Sequence, residues 1–317
     1  AGIHDTQQDA LMFLNEAVPP DGLSTSIEKR KAYVENAAPM MDELVDAGMQ
    51  WDIDAELPDY ESELPHANRG RCLDSRVVDG RKLGPWLETM RRSGLLPFAV
   101  QLADLPQMGK GRMDRMVSVV LRHYSRKLIG QKPLGAGESL AAQLMMILRR
   151  LEVPVLLETP LREVVVEAGK ATGSVVAAGG KEKRIRARAG VILCSGGFAR
   201  DAEARRRLHN MDAAMSSASP ADTGEVIRMA QDIGAMTELS QDAWWTSAFA
   251  TPEGTPSPSH FERSVPFSLC VGSDGKRFTN ESFDYYRFTR AMVERGGEPV
   301  WLIFDARHRK RYPFQGL

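Results

Sequence analysis

The stretch from Gly135 to Phe198 constrains this chain most, because its hydrophobic period changes repeatedly and in a set order. Gly135-Ala136-Gly137 leads into an amphipathic segment, Glu138–Leu151, whose spacing predicts a helix. Val153–Glu158 is a short apolar run and reads as a buried strand. Glu163–Glu167, Gly173–Ala178 and Lys183–Ala187 read as three strands at hairpin spacing, with Ala168-Gly169-Lys170 and Gly179-Gly180-Lys181 as their turns. Gly190–Cys194 is a second apolar run, read as a buried strand that stops at Ser195-Gly196-Gly197-Phe198. Helix, strand, three-stranded meander and strand make an α/β pattern, but not a plain repeat of βαβ units.

Around this block the chain reads differently. The first 130 or so residues are mostly helical. Thr25 and Glu28 form a capping-box pattern before a helix toward Asn36. Pro39 suits the first turn of a second helix, which Gly48 closes. Trp86–Ser93 is bracketed by Pro85 and Gly94, and Met113–Ile129 has an apolar and a basic face, while Trp51–Gly80 reads as loop-rich. Beyond the central block, Asp201–His209 and Glu225–Ile233 predict helices, the second capped by Gly234. Thr251–Pro258 reads as a Pro-rich loop. Phe267–Val271 and Lys276–Thr279 flank the hairpin turn signal Asp274-Gly275, and Val300–Phe304 is a last short strand. A length of 317 residues suits about two domains.

Composition excludes several classes. Hydrophobic residues are 43% and charged residues 26%, as in ordinary globular chains. Lys+Arg 41 against Asp+Glu 42 gives a net charge of -1, with no global pull toward nucleic acid. Lys181–Arg188 and Arg205–Arg207 are basic, but without interleaved aromatics they read as solvated faces. Apolar runs such as Ala141–Leu148 are too short for a transmembrane segment. Cys72, Cys194 and Cys270 lie far apart, which suits neither a disulfide framework nor zinc, and the six histidines are scattered without metal-ligand spacing. The expectation is therefore no metal and a reducing, cytoplasmic location, or one peripheral to a membrane. The start at Ala1 reads as a processed end or as a piece of something longer.

Three places stand out chemically. No G-x-G-x-x-G stands between a strand and a helix, so the dinucleotide fingerprint is lacking. Ser195-Gly196-Gly197 does sit at a strand-to-helix turn, where backbone can approach a ligand; a plain tight turn is the other reading. Trp244-Trp245 is either core or the wall of a flat apolar ligand site. Gly275–Ser282 leaves a hairpin and runs to Tyr285, which is either a buried aromatic or a general acid or base.

Taken in order, Gly190–Phe198 (GVILCSGGF), Thr223–Ala235 (TGEVIRMAQDIGA), Asp242–Trp245 (DAWW), Gly275–Ser282 (GKRFTNES) with Tyr285, and Trp301–Tyr312 (WLIFDARHRKRY) resemble one superfamily. It is that of the FAD-dependent fumarate reductase and succinate dehydrogenase flavoproteins. Pro58-Asp59-Tyr60 with Gly70-Arg71 resembles a further segment of it. Within it the chain is most similar to the 3-ketosteroid Δ1-dehydrogenase branch. The fumarate reductases carry a proton-donating arginine five residues past the Asn of their Asn-Glu pair; here that position is Tyr285. Their Gln-x-His-Pro-Thr segment is absent, and Trp244-Trp245 stands in that region. The N-terminal fingerprint and the C-terminal segment that closes the FAD domain are also lacking, and the usual TGDG reads Thr223-Gly224-Glu225-Val226.

The resemblance implies an α/β fold, a partial FAD-binding (glutathione-reductase-like) domain over residues 1–238, with a meander. It implies the start of a smaller α+β catalytic or capping domain over 239–317. FAD is the implied cofactor, approached by the backbone of Ser195, Gly196 and Gly197. Thr223, Gly224 and Glu225 would lie near its ribityl or flavin end, and Leu161 would contact adenine by main chain. Tyr285 is the implied base and Tyr60 a second candidate, with Trp244, Trp245 and Phe283 walling an apolar, steroid-like substrate. An electron acceptor completes the expected partners. A reductase of α,β-unsaturated carboxylates, with Arg277, Arg287 and Arg290 as cations, is the alternative. A third reading, a remnant that binds no flavin, predicts exposed apolar surface where strands lack neighbours.

Overall fold

A computed structural model describes residues 3–18, 22–92, 98–104, 113–238, 240–250, 256–296, 299–312 and 314. Contacts divide the chain into two compact units. The first is Ala1–Pro154 with Phe261–Asp284 and Trp301–Leu317; the second is Val155–His260 with Tyr285–Val300. This is a different division from the one at residues 238 and 239, which concerns the roles of the parts.

In the first unit the helix expected to end near Asn36 continues. Ile27–Asp46 is one helix of 20 residues with Pro39 inside it, and its N-cap is Ser26, whose hydroxyl accepts from Lys29 N–H, rather than Thr25. A proline removes only its own donor, so flanking turns carry the helix past it at a cost. Gly48, at φ +92°, follows the end as expected. The segment Trp51–Gly80 is not plain loop. Trp51–Asp54 pairs antiparallel with Cys72–Ser75, and Val78–Asp79 pairs with Pro133–Leu134. Such short strands carry too few residues for alternation to announce them. Trp86–Thr89 is a shorter helix than predicted, and Gly94 lies outside the described residues.

Helices Met113–Leu128 and Ala136–Arg150 stand close to their predicted places. The second buries Ala142 against Val78, Leu83 and Leu134, with Trp86, Leu87, Met145 and Met146 packed around them. Its polar positions are satisfied too. Gln143 accepts from Gln50 N–H at 2.8 Å and donates to Ser75 Oγ at 2.8 Å.

Ser268–Val271 forms a strand, but its ladder partner is Trp301–Phe304 and not the residues after Gly275. Only an isolated bridge, Val271 to Arg277, joins the two arms of that turn. The turn instead closes on Glu281. Its buried carboxylate accepts from Cys270 N–H at 2.9 Å, and from Arg277 Nε at 3.0 Å and Nη2 at 2.7 Å. Burial pushes that carboxyl up, but Arg277 and the Cys270 amide outweigh it and hold Glu281 below the usual carboxylate range. Burial beside this carboxylate pushes the Cys270 thiol up to about 12 and keeps it inert.

The second unit carries the meander. Leu161–Glu167, Lys170–Ala178 and Lys181–Arg186 pair in sequence order, all antiparallel, with bulges near Leu161 and Val165. The two apolar runs that flank it are not strands. Val153, Leu156 and Leu157 are exposed, and so are Ile192, at 88%, and Leu193. Both runs have strand-like composition, but a strand exists only where another chain segment pairs with it, and neither run pairs with any described strand. The helices Ala202–His209 and Glu225–Asp232 follow as predicted. Part of the expected loop at 251–258 lies outside the described residues, but Ser257–Pro258 pairs with Ala248–Phe249. No helix among the described residues is long and apolar enough to cross a membrane.

Candidate FAD and substrate site

Two clusters in the second unit hold most of the residues singled out above. The first is a cavity of about 200 Å³. It is lined by Leu161 at the head of the meander, by Ser195, Gly196 and Gly197, and by Thr223, Gly224 and Glu225. Three segments distant in sequence thus meet in one cavity, whereas the resemblance set Leu161 at the adenine end of FAD and Thr223–Glu225 at the ribityl or flavin end. Gly196 (φ +87°) and Gly224 (φ +72°) adopt left-handed backbone that favours glycine. A Cβ at Gly224 would lie 2.9 Å from Phe198 Cβ, so the two segments touch backbone to backbone. Gly224 N–H donates to Gly197 O at 3.0 Å and ties them together. The helix Glu225–Asp232 begins at this cavity, with its first residues in the wall. Glycine turns beside a helix start offer amide donors and close approach, which suit part of a dinucleotide. The volume lies below the ~300–1,000 Å³ of whole-ligand pockets, so it suits one portion of FAD.

The second cluster is aromatic. Tyr285 opens the helix Tyr285–Glu294 and is half-buried. Trp244 Nε1–H donates to Tyr285 Oη at 2.7 Å, and the His260 ring lies 4.8 Å from the Tyr285 ring. The paired tryptophans part company: Trp244 is 72% exposed and Trp245 only 7%. Trp245 packs edge-on against His209 at 4.9 Å, under the Arg205 guanidinium. Its Nε1–H donates to Asp242 Oδ1 at 2.7 Å, and Tyr286 Oη donates to Asp242 Oδ2 at 2.7 Å. Asp242 therefore holds one tryptophan and the neighbouring tyrosine with its two oxygens. The Asp242 carboxyl is raised by burial, but the bonds from Tyr286, Ala243 N–H and Trp245 outweigh this and lower it.

The hydrogen bonds of the two adjacent tyrosines differ. Burial, followed by the Asp242 hydrogen bond, raises Tyr286 above its ordinary value. Tyr286 is thus kept protonated as a donor, whereas Tyr285 Oη is itself an acceptor. Replacing Asp242 by Asn should lower the Tyr286 titration. Ultraviolet difference spectra of tyrosine ionisation, with Tyr286→Phe as the assignment control, check this; an unmoved transition refutes it. His209 is lowered by burial and then by Arg205. An arginine only donates, so His209 Nδ1 accepts from Arg205 Nη1 at 2.9 Å and its Nε2–H donates to Ser240 O at 3.1 Å.

Tyr60 and Phe283 belong to the first unit. Tyr60 is exposed, in a segment anchored by the bridge from Pro58 to Arg69. Phe283 is half-buried, and its carbonyl accepts from the buried Arg263 Nη1 at 2.9 Å. Sequence reasoning quoted Asp242 within DAWW but gave it no task, and it missed His260 because a lone histidine carries no spacing signal. Among the described residues no group of three or more His, Cys, Asp or Glu could hold a metal ion.

The FAD binding domain family matches residues 2–311, and the chain belongs to that family, whose cofactor is FAD. The chain is 32% identical to a 3-oxosteroid 1-dehydrogenase of Mycolicibacterium smegmatis, over 100% of this chain and 59% of that protein. It is 30% identical to the protein of that name in Mycobacterium tuberculosis, over 100% of this chain and 60% of that one. The crystal structure of 3-ketosteroid delta1-dehydrogenase from Sterolibacterium denitrificans, in complex with 1,4-androstadiene-3,17-dione, superposes with a TM-score of 0.89. Its identity is 31%, covering 99% of this chain and 60% of that one. A flavocytochrome c3 fumarate reductase, at 18% identity and a TM-score of 0.56, shares the fold. The chain thus spans about 60% of the length of these steroid-enzyme relatives.

Proposed function

We propose that this chain is the cofactor-binding and substrate-capping part of an FAD-dependent oxidoreductase. It dehydrogenates a CH–CH bond of an apolar ring ketone of the 3-ketosteroid kind. The observation that carries this reading is Tyr285, with its hydroxyl oxygen accepting from Trp244 in an aromatic cluster. The steroid dehydrogenases to which the chain is similar support it.

In this reading residues 1–238 supply most of the FAD domain and 239–317 begin the capping domain. When bound, FAD supplies the hydride acceptor. Leu161, Ser195–Gly197 and Thr223–Glu225 share one cavity, so they hold one and the same portion of it. Tyr285 Oη removes the proton from the carbon next to the ketone. As base Tyr285 would act in its phenolate form, neutralised by the proton it takes; the Trp244 indole N–H orients that oxygen and stabilises its negative charge before the transfer. Tyr286, held protonated by Asp242, takes no proton and fixes the helix start. Trp244 offers apolar wall beside Tyr285. The protein aligns the reactants; the redox chemistry belongs to the cofactor.

The carboxylate-reductase alternative needs cations near Tyr285. Arg290 lies 3.4 Å from Tyr286 Oη and pairs with Glu294, and Arg277 is held by Glu281. Two of its candidate cations are therefore already engaged.

The exposed runs at 153–157 and 192–193 match what the flavin-free reading expects, so flavin uptake is the deciding test. FAD is added to the purified chain, excess is removed and the absorption spectrum recorded. A retained flavin band, bleached anaerobically by a steroid ketone and not by succinate, is the expected result. A colourless protein refutes flavin binding by this chain alone. Bleaching by succinate alone would favour the carboxylate alternative.

A further inference from the structure

Asp222 stands one place before Thr223, and the reading of the sequence gave it no part. It is half-buried between the two glycine segments of the cavity. Its Oδ1 accepts from Gly197 N–H at 2.8 Å. Its own carbonyl accepts from Arg200 N–H at 2.8 Å, so both ends of the residue grip the turn that follows Ser195. Two residues on, Gly224 N–H returns the contact by donating to Gly197 O. The packing leaves no slack: a Cβ at Gly196 would lie 2.1 Å from Asp222 Oδ1. Around this core, Arg228 bonds the carboxylate of Asp201 and, at 3.2 Å, the carbonyl of Thr223.

We propose that Asp222 is a positioning residue for the cofactor cavity: its carboxylate clamps the Gly197 amide and holds Ser195–Gly197 in register with Thr223–Glu225. The charge matters less than the acceptor. A side-chain oxygen at this position closes a ring through Gly197, Gly224 and back, whereas a methyl group leaves the Gly197 N–H without its side-chain partner. An amide and a carboxylate share the same planar shape, so Asn can replace Asp here while Ala cannot. The proposal rests on the cavity being the FAD site only for its consequence in binding; the clamp itself does not need flavin.

Two readouts test it, one of them free of flavin. In the full chain labelled with ¹⁵N-glycine, the Gly197 amide should exchange slowly with solvent and show the small temperature coefficient of a hydrogen-bonded N–H. Asp222→Asn should keep both signatures, and Asp222→Ala should lose both. A Gly197 amide that exchanges freely in the unmodified chain overturns the clamp. In the second readout, FAD affinity is measured by quenching of flavin fluorescence. Asp222→Asn should bind within about threefold of the unmodified chain, and Asp222→Ala at least about tenfold more weakly, as expected for loss of one charge-assisted bond. Equal affinity of the Ala variant overturns the positioning role. Should the unmodified chain take up no FAD, the cofactor reading fails for this chain, and the Gly197 amide exchange alone decides the clamp.

Discussion

Tyr285→Phe, measured in a flavin-loaded protein that carries this chain, is expected to lower kcat by about a thousandfold, within the ~10²–10⁴ that a positioned acid or base contributes. The change removes one oxygen. It deletes the atom proposed to take the substrate proton and leaves Trp244 Nε1–H without its 2.7 Å acceptor. The ring remains, so packing against His260 persists and the helix Tyr285–Glu294 keeps its first turn. The cofactor cavity is lined by other residues, so flavin absorption should be unchanged. Tyr286→Phe is the control. Its hydroxyl serves Asp242, so its loss should cost far less turnover than that of Tyr285. Near-normal turnover in Tyr285→Phe would remove this residue from the chemistry.

A second large effect is expected on stability. Glu281→Ala should destabilise the first unit by about 1–3 kcal/mol, the cost of leaving a buried donor without its acceptor. The Glu281 side chain is 8% exposed and that of Arg277 59%, and the carboxylate is the common acceptor for the Cys270 amide and the Arg277 guanidinium. Removal strands a buried N–H in the strand Ser268–Val271, while the exposed Arg277 turns to solvent. Because the Glu281 carboxyl is lowered in the folded protein, its contribution is fully present above the ordinary glutamate range. It is lost as pH falls through the lowered value. Urea unfolding at neutral and acidic pH measures both: the gap between parent and Glu281→Ala should be wide at pH 7 and narrow in acid. A gap independent of pH would show that packing, not charge, explains the loss.

Of the fold, the meander and the longer helices were legible in the sequence. Their apolar spacing and turn glycines are local signals, and Gly169, Gly179 and Gly180 do take positive φ at the turns. The short ladders were not. Trp51–Asp54 and Val78–Asp79 acquire strand character only from partners 18 to 24 and 54 to 56 residues away along the register, Ser75 to Cys72 and Leu134 to Pro133. The opposite error befell Val153–Glu158 and Gly190–Cys194, where strand-like composition met no pairing strand. Of the site, the family motifs pointed to the glycines that line the cavity and to Tyr285. They did not reveal that Asp222 grips Gly197, that Asp242 joins Trp245 to Tyr286, or that the adjacent tryptophans would separate into one exposed and one buried.

What the sequence determined by itself is therefore the membership of the chain in a flavoprotein family, its meander, its main helices and the identity of the residues worth watching. These are written in nearest-neighbour chemistry: apolar period, caps, glycine at turns, and motif order. Tertiary structure decided which apolar runs became strands, that Tyr286 donates to a carboxylate while Tyr285 accepts from an indole, and how three remote segments enclose one cavity. Those outcomes depend on hydrogen-bond partners far away in the chain. A backbone amide or a phenol has no fixed role until a particular acceptor or donor is placed within about 3 Å of it.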